Sequence, residues 1–221
     1  MLRLVFLVLL LVPLAACAGT SADSGWRSLF DGRTTAGWRG YRRADVPAGW
    51  QVVDGALTRV GEAGDLVTAE PYTDFELELE WKVAPGGNSG VMFRVTEDHD
   101  YPWETGPEFQ ILDDAAHKDG LDPRTSAGAN YAMHAPSAEA ARPAGEWNQA
   151  RLVVRGAHVE HWLNGQKIVA YELWSPDWEA RVQACKWKER PDYGRRRSGH
   201  IALQDHGDAV AYRNLRIRVL E

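Results

Sequence analysis

From Phe75 to Val83 the chain alternates without a break: Phe75, Leu77, Leu79, Trp81 and Val83 are apolar, while Glu76, Glu78, Glu80 and Lys82 are charged. Only an extended strand places every second side chain on one face, so this segment buries one side and wets the other. The acidic row is expected to be a solvated face, not a metal site. Asp54-Gly55 and Asn164-Gly165 each join two short alternating runs, and such pairs supply the positive φ angles of a two-residue hairpin. They predict hairpins over Trp50–Val60 and Val159–Tyr171. Further strands are expected from Trp26, and at Leu66–Ala69, Asn88–Val95, Glu108–Leu112, Trp147–Arg155 and Ala211–Leu220, the last with Leu215, Ile217 and Val219 inward. Asp177–Lys186 reads as a short helix or an irregular crossover. With no βαβ rhythm and no internal repeat, about ten or more strands separated by turns specify an all-β antiparallel sandwich.

The N-terminus is set apart from that pattern. Arg3 precedes an apolar run, Val5 to Leu14, too short to span a bilayer, and Leu14-Ala15-Ala16-Cys17 follows. This resembles a bacterial lipobox. It implies a signal peptide over residues 1–16, lipidation of Cys17, a small-residue tether over 17–24 and a protein anchored to a membrane of the bacterial cell envelope, periplasm-facing or on the outer surface. The chain has two cysteines, so a lipidated Cys17 leaves Cys185 without a partner, and it is expected to be a small buried hydrophobe. The 221 residues carry a net charge of −6 with no basic stripe, which argues against nucleic acid as a partner. Arg195-Arg196-Arg197 is expected to be a solvated loop.

Three strands depart from plain amphipathicity. Ile201 and Leu203 back a front carrying Gln204, with His206 just beyond. Phe109 and Ile111 back Glu108 and Gln110. Val91, Phe93 and Val95 back Asn88, Gly90, Met92 and Arg94. Gly90 leaves room for something to approach the backbone. If these strands neighbour one another, Arg94, Glu108, Gln110, Gln204 and His206 meet on one face. The loop 97–107 carries Trp103, and the long loop 114–146 carries His117, Tyr131 and His134 without visible period. Ten tryptophans mildly favour a sugar-binding surface, since flat rings serve both cores and sugar stacking.

Leu29-Phe30-Asp31-Gly32, Asn88-Ser89-Gly90 with Arg94, Glu108 to Asp113, Gly145-Glu146-Trp147-Asn148, Val159 to Gly165, and Leu203 to Gly207 with Arg213-Asn214 together resemble the 3-keto-disaccharide hydrolase domain family (3-keto-glycoside lyase/hydratase, DUF1080). The resemblance spans about residues 25–221 in matching order. It implies a single-domain, concanavalin-like jelly roll acting on a carbohydrate oxidised at C3.

The residue chemistry bears on the reaction independently. An ordinary glycosidase needs two carboxylates, about 5–5.5 Å or 6.5–9.5 Å apart, flanking one bond. Gln110 fills the position two residues from Glu108 where a second carboxylate would stand. A ketone at C3 changes the demand: it acidifies the C2 hydrogen, and the enolate left by its removal expels the C1 substituent. That route needs one base, one acid and donors for the enolate oxygen. Glu108 and His206 are the candidates for base and acid, in either assignment. Arg94, Gln110 and Lys186 are candidate donors, and Asn88, Trp103, Lys186 and Gln204 candidate substrate contacts. Asp113 and Asp205 fit turn or supporting roles. No ligand spacing calls for a metal, and a divalent ion held by these carboxylates or histidines is left open. The competing reading is a lectin-like module that holds glycans at the envelope without reacting.

Overall fold

A computed structural model describes residues 25–221. The expected signal peptide, Cys17 and the tether lie outside the described residues. Among the described residues thirteen strands and one α-helix follow in order: β1 (Trp26–Ser28), β2 (Trp38–Gly40), β3 (Trp50–Val53), β4 (Ala56–Arg59), β5 (Leu66–Thr68), β6 (Phe75–Val83), β7 (Asn88–Val95), β8 (Glu108–Leu112), β9 (Asn148–Arg155), β10 (His158–Leu163), β11 (Gln166–Glu172), α1 (Pro176–Ala184), β12 (His200–Leu203) and β13 (Val210–Val219). They form two antiparallel sheets. The larger runs β11-β10-β9-β6-β13-β4-β3, with β1 added along β13, and the smaller runs β2-β5-β12-β7-β8.

The alternation that opened the sequence reading decides how the sheets meet. Phe75, Leu77, Leu79, Trp81 and Val83 face inward to meet Val91, Phe93, Phe109, Ile111, Ile201 and Leu203 of the smaller sheet in one continuous core. The glutamates on the other side of β6 are not merely solvated. Glu76 pairs with Arg151 and Arg218, Glu78 with Arg216, and Glu80 with Arg213 at 2.7 Å, so a ladder of ion pairs knits β9, β6 and β13 together. On β13, Leu215 and Ile217 are buried as expected, whereas Val219 is exposed where the strand runs out beside Phe75. Both hairpin turns form as read: Asp54, Gly55, Asn164 and Gly165 all have positive φ. Of the segment 177–186, residues up to Ala184 form α1, capped by the Ser175 side chain accepting from Trp178 N, and Lys186–Glu189 continue as a 3-10 turn. The Arg195–Arg197 run is held down by acidic and aromatic partners: Arg195 pairs with Glu179, Arg196 with Asp98, and Arg197 lies over the Trp174 ring.

The site depends on the smaller sheet being covered on both faces. Every residue of β7 and β8 is buried. On the face away from the core, Val67, Met92, Val95 and Ala202 make a second apolar cluster, with Tyr41 and Trp103 packed on it. The loops after β7, after β8 and after α1 close over this outer face.

Candidate active site

The register of the smaller sheet puts the three unusual strands side by side. β12 pairs with β7 (Leu203 opposite Val91), and β7 pairs with β8 (Gly90 opposite Gln110, Met92 opposite Glu108). Their outward side chains floor a cavity of about 280 Å³ lined by Asn88, Glu108, Gln110 and Gln204. Trp103, Tyr131, Lys186, Trp187, Arg190 and His206 make its walls. All the residues expected to meet here do so, except Arg94.

Arg94 is a correction. Strict alternation would place it beside Met92, but its φ is +52°, and the register against β12 slips at this point. This bulge turns Val95 outward next to Met92 and sends the guanidinium to the Thr73 carbonyl at 3.0 Å, the Asp74 carboxylate at 3.1 Å and the Trp174 ring. A bulge inserts one residue and reverses the faces beyond it; Gly199 packs directly on the backbone at Arg94, leaving no space there for a Cβ. Arg94 therefore braces the sandwich and supplies no donor to the cavity.

Glu108 dominates the electrostatics. It is 4 % exposed, and burial pushes its carboxyl up to about 8, with Lys186 opposing and Asp65 and Asp119 adding to the rise. What allows it to lie there is Gly90 on the neighbouring strand. A Cβ at residue 90 would sit 2.7 Å from Cδ and 2.8 Å from Cγ of Glu108, and closer still to Oε1. The room that Gly90 leaves is thus taken by the carboxyl of this protein itself. Gln110 donates to Asn88 Oδ1 at 3.4 Å, and its own Oε1 is buried without a partner, as is Oε1 of Gln204. Buried acceptors without donors are costly, and these two oxygens are placed to accept from water or from O–H or N–H groups of a ligand in the cavity.

The walls come from segments without period. The Lys186 ammonium lies over the rings of Tyr131 at 4.2 Å and Trp187 at 4.4 Å, and burial lowers its pKa, with Glu108 and Asp119 opposing. Residue 186 is exposed. Its chain does run over the surface while its charge sits against the cavity. Tyr131 donates to Asp119 at 3.1 Å, and Trp187 Nε1 donates to the Tyr131 carbonyl at 3.1 Å, which joins two of the covering loops. His206 is exposed at the rim, with Asp208 3.8 Å away and the His117 ring 6.2 Å from its own. Asp205 does not enter the cavity. Its carboxylate accepts from Arg59, Ala63 N and Gly64 N and its own N–H donates to Asp65, which fixes the turn that carries Gln204 and His206. Asp113 likewise serves a turn, accepting from Gly86 N at 2.7 Å. Tyr131, Trp187 and Arg190 were not singled out as site residues from the sequence, since they lie where no alternation indicates which way a side chain points. Among the described residues no three His, Cys, Asp or Glu side chains are grouped to hold a metal ion.

Two packed antiparallel sheets with this cavity on the outer face of one define a concanavalin-like jelly roll. The fold is shared with a Bacillus licheniformis β-glucanase, 12% identical, with a TM-score of 0.50 over 89% of this chain and 97% of that one. Residues 25–218 match the model of the 3-keto-alpha-glucoside-1,2-lyase-like domain, and the chain belongs to that family. It is similar to a 3-keto-disaccharide hydrolase of Bacteroides thetaiotaomicron, 34% identical over 89% of this chain and 79% of the relative. It is also similar to the crystal structure of a putative glycosyl hydrolase from Parabacteroides distasonis, 38% identical with a TM-score of 0.84, covering 89% of this chain and 94% of the other.

Proposed function

We propose that this protein is a carbohydrate-cleaving enzyme whose substrates are glycosides oxidised at C3, and that it opens the C1 linkage by elimination and hydration. The observation that carries the reading is a single carboxyl, Glu108, held neutral in a cavity whose other floor groups are amides. A glycosidase needs two carboxylates across one bond. Elimination next to a ketone needs one acid, one base and a charge for the enolate. Family membership and the named activity of the Bacteroides relative agree with this reading.

The roles divide by protonation and by place. Glu108, with its carboxyl up at about 8, holds a proton at neutral pH and acts as the acid. It sits opposite Met92, a member of the outer apolar cluster on which Trp103 packs, so it serves the Trp103 side of the cavity. His206, at the end of β12 on the other side, is the base that takes the C2 proton. The electron pair from C2–H forms the enolate, whose oxygen faces the Lys186 ammonium. The pair then closes the C1–C2 double bond as the C1–O bond breaks, and Glu108 protonates the departing oxygen. Water adds across the resulting 2-hydroxy-3-keto-glycal, hydroxide to C1 and a proton to C2, giving the free 3-keto sugar. Gln110 and Gln204 accept from ring hydroxyls through their unpartnered oxygens.

Incubating the protein with several 3-keto-glycosides and following the products by mass spectrometry tests this directly. The reading expects a free 3-keto sugar and the released alcohol or sugar, and unoxidised glycosides left intact. Binding without any product would instead identify a glycan-binding module.

A further inference from the structure

The cavity is small for the substrates just proposed. Pockets that enclose a drug-sized ligand run to roughly 300–1,000 Å³, and this one, at about 280 Å³, suits a single reacting ring. The group attached at C1 must then lie outside, on whatever the rim presents. Resting on the reading of the site given above, we propose that Tyr101 and Trp103 form a platform on which the leaving sugar ring of the substrate is held.

The two rings are stacked, with centroids 5.2 Å apart and planes 12° from parallel. Trp103 lines the cavity, but its ring is already engaged, by Tyr101 and by the Arg190 guanidinium 5.1 Å from its centroid. Tyr101 is the member left open: it is 54% exposed, one of the few large hydrophobic side chains of the described residues that are. A flat ring exposed beside a polar cavity suits the C–H face of a pyranose. The platform is also held rigid. Glu104 accepts from Tyr101 N at 3.1 Å through one carboxylate oxygen and forms an ion pair with Arg190 at 3.3 Å through the other. This half-buried acid thereby ties the loop before β8 to the segment after α1 and orders the backbone that carries the Tyr101 ring, which lowers the entropy lost when the ring is covered. Glu108 stands on this same side of the cavity, where an acid must be to protonate a departing sugar.

Two measurements on wild type, Tyr101→Ala and Tyr101→Phe test the platform. The first compares steady-state cleavage of 3-keto-disaccharides of several linkages with that of methyl 3-keto-glucoside. For Tyr101→Ala the KM for at least one disaccharide should rise about tenfold, the effect of losing roughly 1.4 kcal/mol of ring contact. Its KM for the methyl glycoside should stay at the wild-type value, and Tyr101→Phe should match wild type on both. The second measures binding of the corresponding unoxidised disaccharides and of methyl glucoside by calorimetry, which needs no turnover. Weaker disaccharide binding by Tyr101→Ala alone supports the platform even if the proposed cleavage fails. Equal effects on both ligand sizes, no effect on either, or a wild type that binds no disaccharide better than methyl glucoside would overturn it.

Discussion

Glu108→Gln should make the protein more stable while it loses turnover. The amide keeps the size and most of the hydrogen bonding of the carboxyl but cannot transfer a proton, so turnover is expected to fall by about 10²-fold or more. The stability effect follows from linkage. In the unfolded chain the carboxyl ionises near its ordinary 4.5, whereas in the fold it does so only at about 8. Between those values the folded state holds a proton that the unfolded state has released, so wild-type stability declines as pH rises and the penalty is complete above about 8. Each unit of displacement corresponds to about 1.4 kcal/mol, and part is offset because Lys186 loses its neighbour, so Glu108→Gln should gain about 2–4 kcal/mol at pH 8 and almost nothing at pH 4.5. Denaturant unfolding at the two pH values measures this. The same acid shapes activity: wild-type kcat/KM should fall about tenfold per unit above about pH 8, as the carboxyl gives up the proton it must donate. Equal stability of both proteins at pH 8, or full turnover by the amide variant, would remove Glu108 from the role assigned to it.

Gly90→Ala should cost turnover without costing the fold. Gly49, Gly120 and Gly199 are hemmed in by backbone, and a substitution at any of them must move the chain. At Gly90 the obstacle is the Glu108 side chain from Cγ outward, which can yield by rotating about its Cα–Cβ bond. The expected result is an unchanged circular dichroism spectrum and a melting temperature near that of wild type, with kcat reduced by about 10²-fold because the acid no longer points at the reacting bond. A displaced, better hydrated carboxyl should also move the alkaline limb of the pH profile to lower pH. Wild-type kcat with an unmoved limb would show that the close seat of Glu108 on Gly90 has no part in catalysis.

These two positions also show what the sequence made legible. Period two in β6, β7, β8 and β12, with Asp-Gly and Asn-Gly turns, was enough to place Glu108, Gln110 and Gln204 outward and Phe109, Ile111, Ile201 and Leu203 inward. The bulge at Arg94 was not legible, because a positive φ at a non-glycine residue leaves no mark in the pattern of polar and apolar residues. Gly90 was recognised as a place of close approach, but what approaches it depends on cross-strand register. Tyr131, Trp187 and Arg190 come from loops whose path is set by tertiary packing, such as the Trp187–Tyr131 hydrogen bond, and not by local period. The tryptophans divide in the same way: Trp81, Trp178 and Trp187 are almost wholly buried, so their number says more about the core than about sugar.

The central claim is that the C2 hydrogen leaves as a proton before the linkage opens, and deuterated water tests it most directly. A 3-keto-glycoside is cleaved in that solvent for a short time, and the product is corrected for spontaneous exchange of the free 3-keto sugar incubated alone. Elimination followed by hydration places a solvent deuterium at C2 of the 3-keto sugar, because the proton taken up by exposed His206 exchanges with solvent before C2 is reprotonated. Product formed at the same rate with protium at C2 would mean direct displacement at C1 and would contradict the account.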